Sequence, residues 1–357
     1  MSEFNGKKIK LKIFGESHGD EIGVIAKGFP PFKIDFDLLY RFLERRKPSG
    51  AVYSTKRKES DIPVFYGLKG DSVDGEFKAV IKNENKKSGD YGELYAKPRP
   101  SHADYAWYLK DGTLDFSGGG RFSGRLTAPL CVAGGVAKQI LASKGVFVEA
   151  FVSKAGGVQA KSYKNGAITR EEILKLRDAG GFPSLNKKEE MLNEIALAAK
   201  DGDSVGGVID CVVYGLCGGV GNDGFEGLES EISYALFGVP AVKGVEFGLG
   251  FGFSEKRGSE VSDGLAAENG KIRLLSNNNG GINGGISNGE IVTLSVAVKP
   301  TPSIFKTQKT VNLITNENTE IKIAGRHDAC IVPRALAPVE SAVAIAVLDK
   351  LLGEDKL

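Results

Sequence analysis

Three histidines make up the entire imidazole complement of this 357-residue chain, and each stands inside a dense polar motif. The motifs are Gly15-Glu16-Ser17-His18-Gly19, Arg99-Pro100-Ser101-His102-Ala103-Asp104 and Gly325-Arg326-His327-Asp328. Imidazole titrates nearest neutral pH, so histidines placed beside serine, arginine and aspartate point to proton transfer. A single such histidine is more often structural. Three together favour an enzyme.

A second pattern is cationic. From Arg41 to Lys58 the chain carries Arg41, Arg45, Arg46, Lys47, Lys56, Arg57 and Lys58 against Glu44, and further arginines stand at 99, 121, 125, 326 and 334. The formal net charge is only +2, so this field is local, and a nucleic-acid partner is not indicated. Guanidinium forks beside histidine and glycine motifs suit a small molecule rich in carboxylate or phosphate.

These residues need elements to position them. Lys8 to Phe14 alternates polar and apolar side chains as a half-buried strand does, and delivers the Gly15–Gly19 loop. Asp35 to Arg46 has helical spacing with Asp35 as cap. Val64–Tyr66 and Ala79–Ile81 read as strands, and 83–90 as an exposed loop. Gly118-Gly119-Gly120 feeds Arg121-Phe122-Ser123-Gly124-Arg125 and then a buried helix over 126–141, despite Pro129 and the Gly134-Gly135 pair. A glycine-rich turn before a helix suits an anion. Strands are expected over 206–216 and 290–299, the latter with Val292, Leu294, Val296 and Val298 on one face. Helices are expected over 226–236 and 334–352, the last apolar on nearly every side and so buried or facing another subunit.

Composition limits the class. Hydrophobic residues are 41% and charged residues 26%, the balance of a globular protein. No signal-like start and no run of roughly 18 uninterrupted apolar residues is present, so a cytoplasmic protein with no membrane role is expected. The four scattered cysteines suggest buried reduced thiols and no metal site. Forty-eight glycines, in runs far apart in the chain, suggest one domain over 1–357 with a site assembled from distant loops.

The motif set resembles the chorismate synthase family. The resemblance rests on Gly15–Gly19, Arg99–Tyr105, Gly118–Arg121, Gly280-Gly281-Ile282 with Gly284–Ser287, Lys299-Pro300-Thr301-Pro302-Ser303 and Gly325–Asp328, in family order. Lesser matches stand at 202–207, 240–246 and 258–260. Such a number of ordered motifs is far more specific than one.

The resemblance implies an α+β fold, a layered β-α sandwich with two antiparallel sheets enclosed by helices, and assembly as a homotetramer. It implies an anti 1,4-elimination of phosphate from 5-enolpyruvylshikimate 3-phosphate to chorismate in the shikimate pathway, dependent on reduced FMN without net redox change. His18 is then the candidate acid toward the leaving phosphate. His102 is the candidate that protonates or balances the reduced flavin, and Asp328 the candidate acceptor of the ring proton. Ser17 and Ser123 would orient hydrogen bonds, and His327 is site-adjacent. Arg121, Phe122, Ser123, Ala241, Gly284, Lys299, Pro300, Thr301, Pro302, Ser303 and Arg326 would surround FMN. Arg46, Arg125 and Arg334 would hold the substrate's anionic groups.

The chain departs from the family pattern at Phe122, where a serine is usual, at Gly124 and Leu126, and at Val52, where an arginine is frequent. NADPH is one source of reducing power and an external reductase the other. No dinucleotide fingerprint stands on a strand–helix junction, which favours the external supply. Two other classes are compatible with these motifs: a non-catalytic flavin or phosphometabolite binder, and a hydrolase using Ser17 with His18. Adjacent residues on an extended segment face opposite sides, which argues against that dyad.

Overall fold

The computed structural model describes residues 2–48, 54, 59–84, 95–114, 116, 119–179, 181–323 and 327–357. Val52, Lys56, Arg57, Lys58, Gly118 and Arg326, and most of the loop expected over 83–90, lie outside the described residues.

The first sheet contains β1 (Ser2–Asn5), β2 (Lys10–Gly15), β3 (Glu21–Lys33), β4 (Val64–Tyr66) and β5 (Ser72–Lys82), in the antiparallel order β1-β2-β3-β5-β4. Register separates its two faces. Leu11 pairs with Ala26 and Ala26 with Phe77, all buried, whereas Lys10 pairs with Lys27 and Lys27 with Glu76. The period of two thus places one face on the core and leaves a charged face that needs no cover.

Helix α1 (Phe36–Glu44) starts where expected, with the Asp35 carboxylate accepting from the Leu38 amide at 2.9 Å. Helix α2 (Asp104–Asp111) had no clear sequence signature. Helix α3 (Thr127–Ser143) crosses the core. Its glycine pair is a packing requirement. A Cβ on Gly134 would stand 2.1 Å from Cβ of Ser341, and one on Gly135 would stand 2.5 Å from Leu39 Cδ1. The backbones could not approach so closely with any other residue.

The second sheet contains β6 (Phe147–Ala155), β7 (Val158–Gln159), β8 (Gly207–Tyr214) and β9 (Val242–Phe247). Helices α4 (Arg170–Ala179), α5 (Lys188–Lys200) and α6 (Leu228–Phe237) are interleaved with these strands. After the short helix α7 (Gly258–Val261) come two hairpins, β10 (Leu265–Glu268) with β11 (Lys271–Leu274) and β12 (Ile282–Asn283) with β13 (Ile286–Ser287). Strand β14 (Val292–Val298) completes the antiparallel order β7-β6-β8-β14-β9. A last hairpin, β15 (Thr307–Asn312) with β16 (Glu317–Lys322), precedes α8 (Val332–Gly353).

The expected α+β class with two antiparallel sheets is present. Helices α3 and α8 pack on each other between the sheets, α3 against β3 and α8 against β6 and β8. Helix α4 covers the far face of the second sheet, where Ile173 meets Phe151 and Val212. Helices therefore enclose the second sheet on both faces and the first on one. The charged outer side of β2, β3 and β5 is the reason.

Helix α8 is buried within its own chain, so its apolar circumference gives no argument for a subunit contact. Its buried charges are all paired. Glu340, fully buried, accepts from Arg45 at 2.8 and 2.6 Å, from the Ala150 amide at 3.0 Å and from Lys138. Asp349 accepts the amides of Lys7, Lys8 and Ile9, fastening the start of β2. The stretch Gly124–Ser143 is long and apolar enough to cross a membrane by composition, with mean hydropathy 1.3, but it is two-thirds buried inside the protein (67%). Of the cysteines, Cys131, Cys211 and Cys330 are buried as expected, and Cys217 is exposed.

Candidate active site

A cavity of about 790 Å³ opens beside the ends of β2, α2 and α6, within the range typical of cofactor and substrate sites. Ser17, His18, Arg46, Arg99, His102, Arg121, Phe122, Ser123, Ala241, Lys299, Thr301, Pro302, Ser303, His327, Asp328 and Arg334 all line it. Residues as far apart in the sequence as Ser17 and Arg334 are thereby brought to one wall.

Strand β2 ends at Gly15, whose φ of 89° and close approach to the Glu21 carbonyl demand glycine. The chain then turns at Ser17 and His18 rather than continuing extended. The turn brings the Ser17 hydroxyl to 2.9 Å from His18 Nδ1, so the geometric objection to contact between these neighbours does not hold. Ser17 is only 1% exposed, which suits a residue that orients the ring better than a nucleophile. Asn83 ties the turn down, donating to the Glu16 and Gly19 carbonyls at 3.1 and 2.9 Å.

His102 sits in a different cage. Its Nδ1 contacts Asp104, whose carboxylate also accepts from Arg99 Nε at 2.7 Å, Nη2 at 2.8 Å and the Arg99 amide at 2.9 Å. Burial alone would raise the Asp104 pKa, but the hydrogen bonds from Arg99 and His102 hold it down at about 2. The carboxylate is ionised and only accepts, so Nδ1 carries the proton and Nε2 is left as the proton-exchanging atom. Ser101 in this turn has φ of 59°, and its carbonyl accepts from Lys299 Nζ at 2.6 Å. That bond joins two distant motifs.

On α2, Ala103, Trp107 and Lys110 present one helical face to the cavity. The Arg121 guanidinium lies 4.5 Å above the Trp107 ring, and Phe122 meets the same ring edge-on at 5.4 Å. Ser123 lines the cavity and caps the next turn, accepting from the Arg125 amide at 3.2 Å. Ala241, with φ of 71°, accepts from the Lys299 amide at 3.0 Å. Burial and the nearby charge of Lys243 pull the Lys299 pKa down. Gly206 allows the Lys299–Ser303 segment to lie close, since a Cβ there would meet Val298 O at 2.5 Å.

Asp328 accepts from Arg334 Nη1 at 2.6 Å, and Arg334 Nε donates to the Arg46 carbonyl at 3.1 Å. The partner expected from sequence, Arg326, lies outside the described residues. His327 packs against Phe305 with ring centroids 5.7 Å apart. Arg125 does not line the cavity. Its Nη1 pairs with Asp61, which also binds Arg46, and its Nε donates to Asn83 Oδ1 at 3.0 Å. Pro300 is exposed beside the lining, and Gly284 lies in the β12–β13 turn at the far end of α6 from the cavity.

Sequence reasoning missed Asp61, Asn83 and Trp107. Asp61 stands in Ser60-Asp61-Ile62-Pro63, a stretch with no motif of its own, and its φ of 50° is visible only in three dimensions.

The chorismate synthase family model matches residues 9–352. A protein named chorismate synthase from Dehalococcoides mccartyi is 42% identical over 356 residues, covering 99% of this chain and 97% of that protein. Another of that name from Thermococcus kodakarensis is 41% identical, covering 97% of each. A solved structure titled "Crystal Structure of Chorismate Synthase" superposes with a TM-score of 0.73 at 25% identity, covering 98% of this chain and 93% of that one. With nearly its full length matched in sequence and fold, and residues of several family motifs lining one cavity, this chain belongs to the chorismate synthase family, a family of lyases.

Proposed function

We propose that the chain catalyses the anti 1,4-elimination of phosphate from 5-enolpyruvylshikimate 3-phosphate to give chorismate, the branch-point product of the shikimate pathway. The observation that carries the reading is the convergence of His18, His102 and Asp328 with Arg46, Arg334 and Lys299 on one cavity. A non-catalytic binder has no use for proton donors and an acceptor so placed.

The cavity fits reduced FMN. Thr301 Oγ1 is buried in the wall without a hydrogen-bond partner among the described residues, a polar atom that a phosphate or ribityl oxygen would satisfy. Arg121, Phe122, Ser123, Ala241, Lys299, Thr301, Pro302 and Ser303 would hold the cofactor. Arg326 and Gly284 belong to the proposed set by family resemblance alone. Reduced FMN supplies electron density that eases departure of phosphate with no net redox change.

The chain's own residues bind and move protons. Arg46 and Arg334 fix the anionic groups of the substrate, with Arg125 acting from behind through Asp61. His18, oriented by the Ser17 hydroxyl, gives a proton to the leaving phosphate. Asp328, held in place by Arg334, takes the proton from the opposite face of the ring. His102, with Nδ1 fixed by Asp104, exchanges a proton at Nε2 and balances charge on the flavin.

The reading includes a single domain over 1–357, a cytoplasmic setting, reducing equivalents from a separate reductase or NADPH, and a homotetramer. Assembly is supported by Phe225, Phe251 and Ile272, which are 100%, 82% and 77% exposed in the single chain. Replacing His18 by Ala tests the assignment. FMN and substrate binding persist while phosphate release falls; loss of all three in equal measure contradicts the role given to His18.

A further inference from the structure

We propose that Asp61 is a positioning residue that sets the geometry of both proton-transfer groups at once, through a continuous polar relay from the His18 turn to Asp328. The inference rests on the elimination reading for its catalytic consequence but not for its structural one.

Asp61 is 3% exposed and adopts a left-handed backbone, φ 50°. A non-glycine residue there is strained and persists where its surroundings hold it. One carboxylate oxygen takes Arg46 and the other takes Arg125. Those guanidiniums are 4% and 5% exposed, and Asp61 is the anion that touches both, while the buried side chain of Glu59 lies 4.0 Å from Arg125.

Each arginine passes the constraint on. Arg125 Nε donates to Asn83 Oδ1 at 3.0 Å, and Asn83 Nδ2 holds the Glu16 and Gly19 carbonyls that bracket Ser17 and His18. In the other direction, the Arg46 carbonyl accepts from Arg334 Nε at 3.1 Å, and Arg334 Nη1 binds Asp328 at 2.6 Å. One carboxylate therefore fixes the spacing between candidate acid and candidate base. Among the described residues His102 is held by a separate set of bonds, from Arg99 and Asp104.

That separation provides an internal control. The chain has three histidines, so their ring ¹⁵N resonances can be resolved individually. In Asp61→Asn, with neutral oxygen and nitrogen replacing the carboxylate, the His18 resonance shifts while that of His102 stays in place. With reduced FMN and 5-enolpyruvylshikimate 3-phosphate, kcat per FMN-binding site falls about 100-fold, KM rises by a smaller factor through the loosened Arg46, and Asp61→Glu recovers most of the loss. Asn83→Ala cuts only the His18 branch and leaves the buried ion triad, so it gives the same His18 shift even where Asp61→Asn does not fold.

An unmoved His18 in a folded variant, an equal shift of all three histidines, or an unchanged kcat per site overturns the proposal. If the wild-type protein does not convert the substrate yet His18 responds selectively, the elimination reading fails and the relay stands.

Discussion

The Ser17 hydroxyl lies 2.9 Å from Nδ1 of His18, its immediate neighbour in sequence. Contact between adjacent side chains requires a turn, and the Gly15 conformation together with the Asn83 anchor provides it. The serine thereby selects the orientation in which His18 meets the cavity. Ser17→Ala removes this hydrogen bond and should lower kcat for phosphate release about 10- to 100-fold, with FMN affinity unchanged. Single-turnover phosphate release and FMN titration on the same variant check both halves.

Asp104 makes a pH-dependent contribution to stability. Its pKa is held at about 2 in the folded chain against an ordinary 3.8, so the folded state favours the ionised carboxylate. That stabilisation, about 2 kcal/mol, is fully present above the unfolded value. It declines as pH falls below about 4 and is gone below about pH 2. Asp104→Asn should therefore be less stable than wild type at pH 7 by about 2 kcal/mol, with the gap closing in acid. Urea midpoints from pH 7 down to 2 measure this.

Trp107 is the chain's single tryptophan, and it lies under Arg121 and against Phe122 at the cavity wall. Its fluorescence should fall on addition of FMN. Arg121→Ala should weaken FMN about tenfold, through loss of the cation and of the stacked arrangement. Fluorescence that is unaffected by FMN would place the flavin elsewhere.

Two glycines separate packing from conformation. Gly134→Ala puts a Cβ 2.1 Å from Ser341, and should cost about 1–3 kcal/mol or more by forcing α3 away from α8. Gly124→Ala meets nothing within 4 Å, and should be neutral or stabilise by about 0.5 kcal/mol. Denaturant unfolding of the two variants tests the contrast.

Much of the scaffold was legible because period and caps are local. The Asp35 cap, the alternation in Val292–Val298 and the apolar run into α3 each declare their element. The motif histidines were legible from their company. What stayed hidden depends on contacts across the chain. Helix α2 carries an ordinary mixed sequence, and Asp61 becomes meaningful only once Arg46 and Arg125 are beside it. The Ser17–His18 contact was misjudged because an extended path was assumed where glycine turns the chain.

The central claim is that this cavity eliminates phosphate with the help of reduced flavin. The most direct measurement incubates the purified protein anaerobically with chemically reduced FMN and 5-enolpyruvylshikimate 3-phosphate, following chorismate and phosphate together. Equimolar appearance of the two, absent with oxidised FMN, is the predicted result. Tight binding of both flavin and substrate with neither product formed would contradict the account.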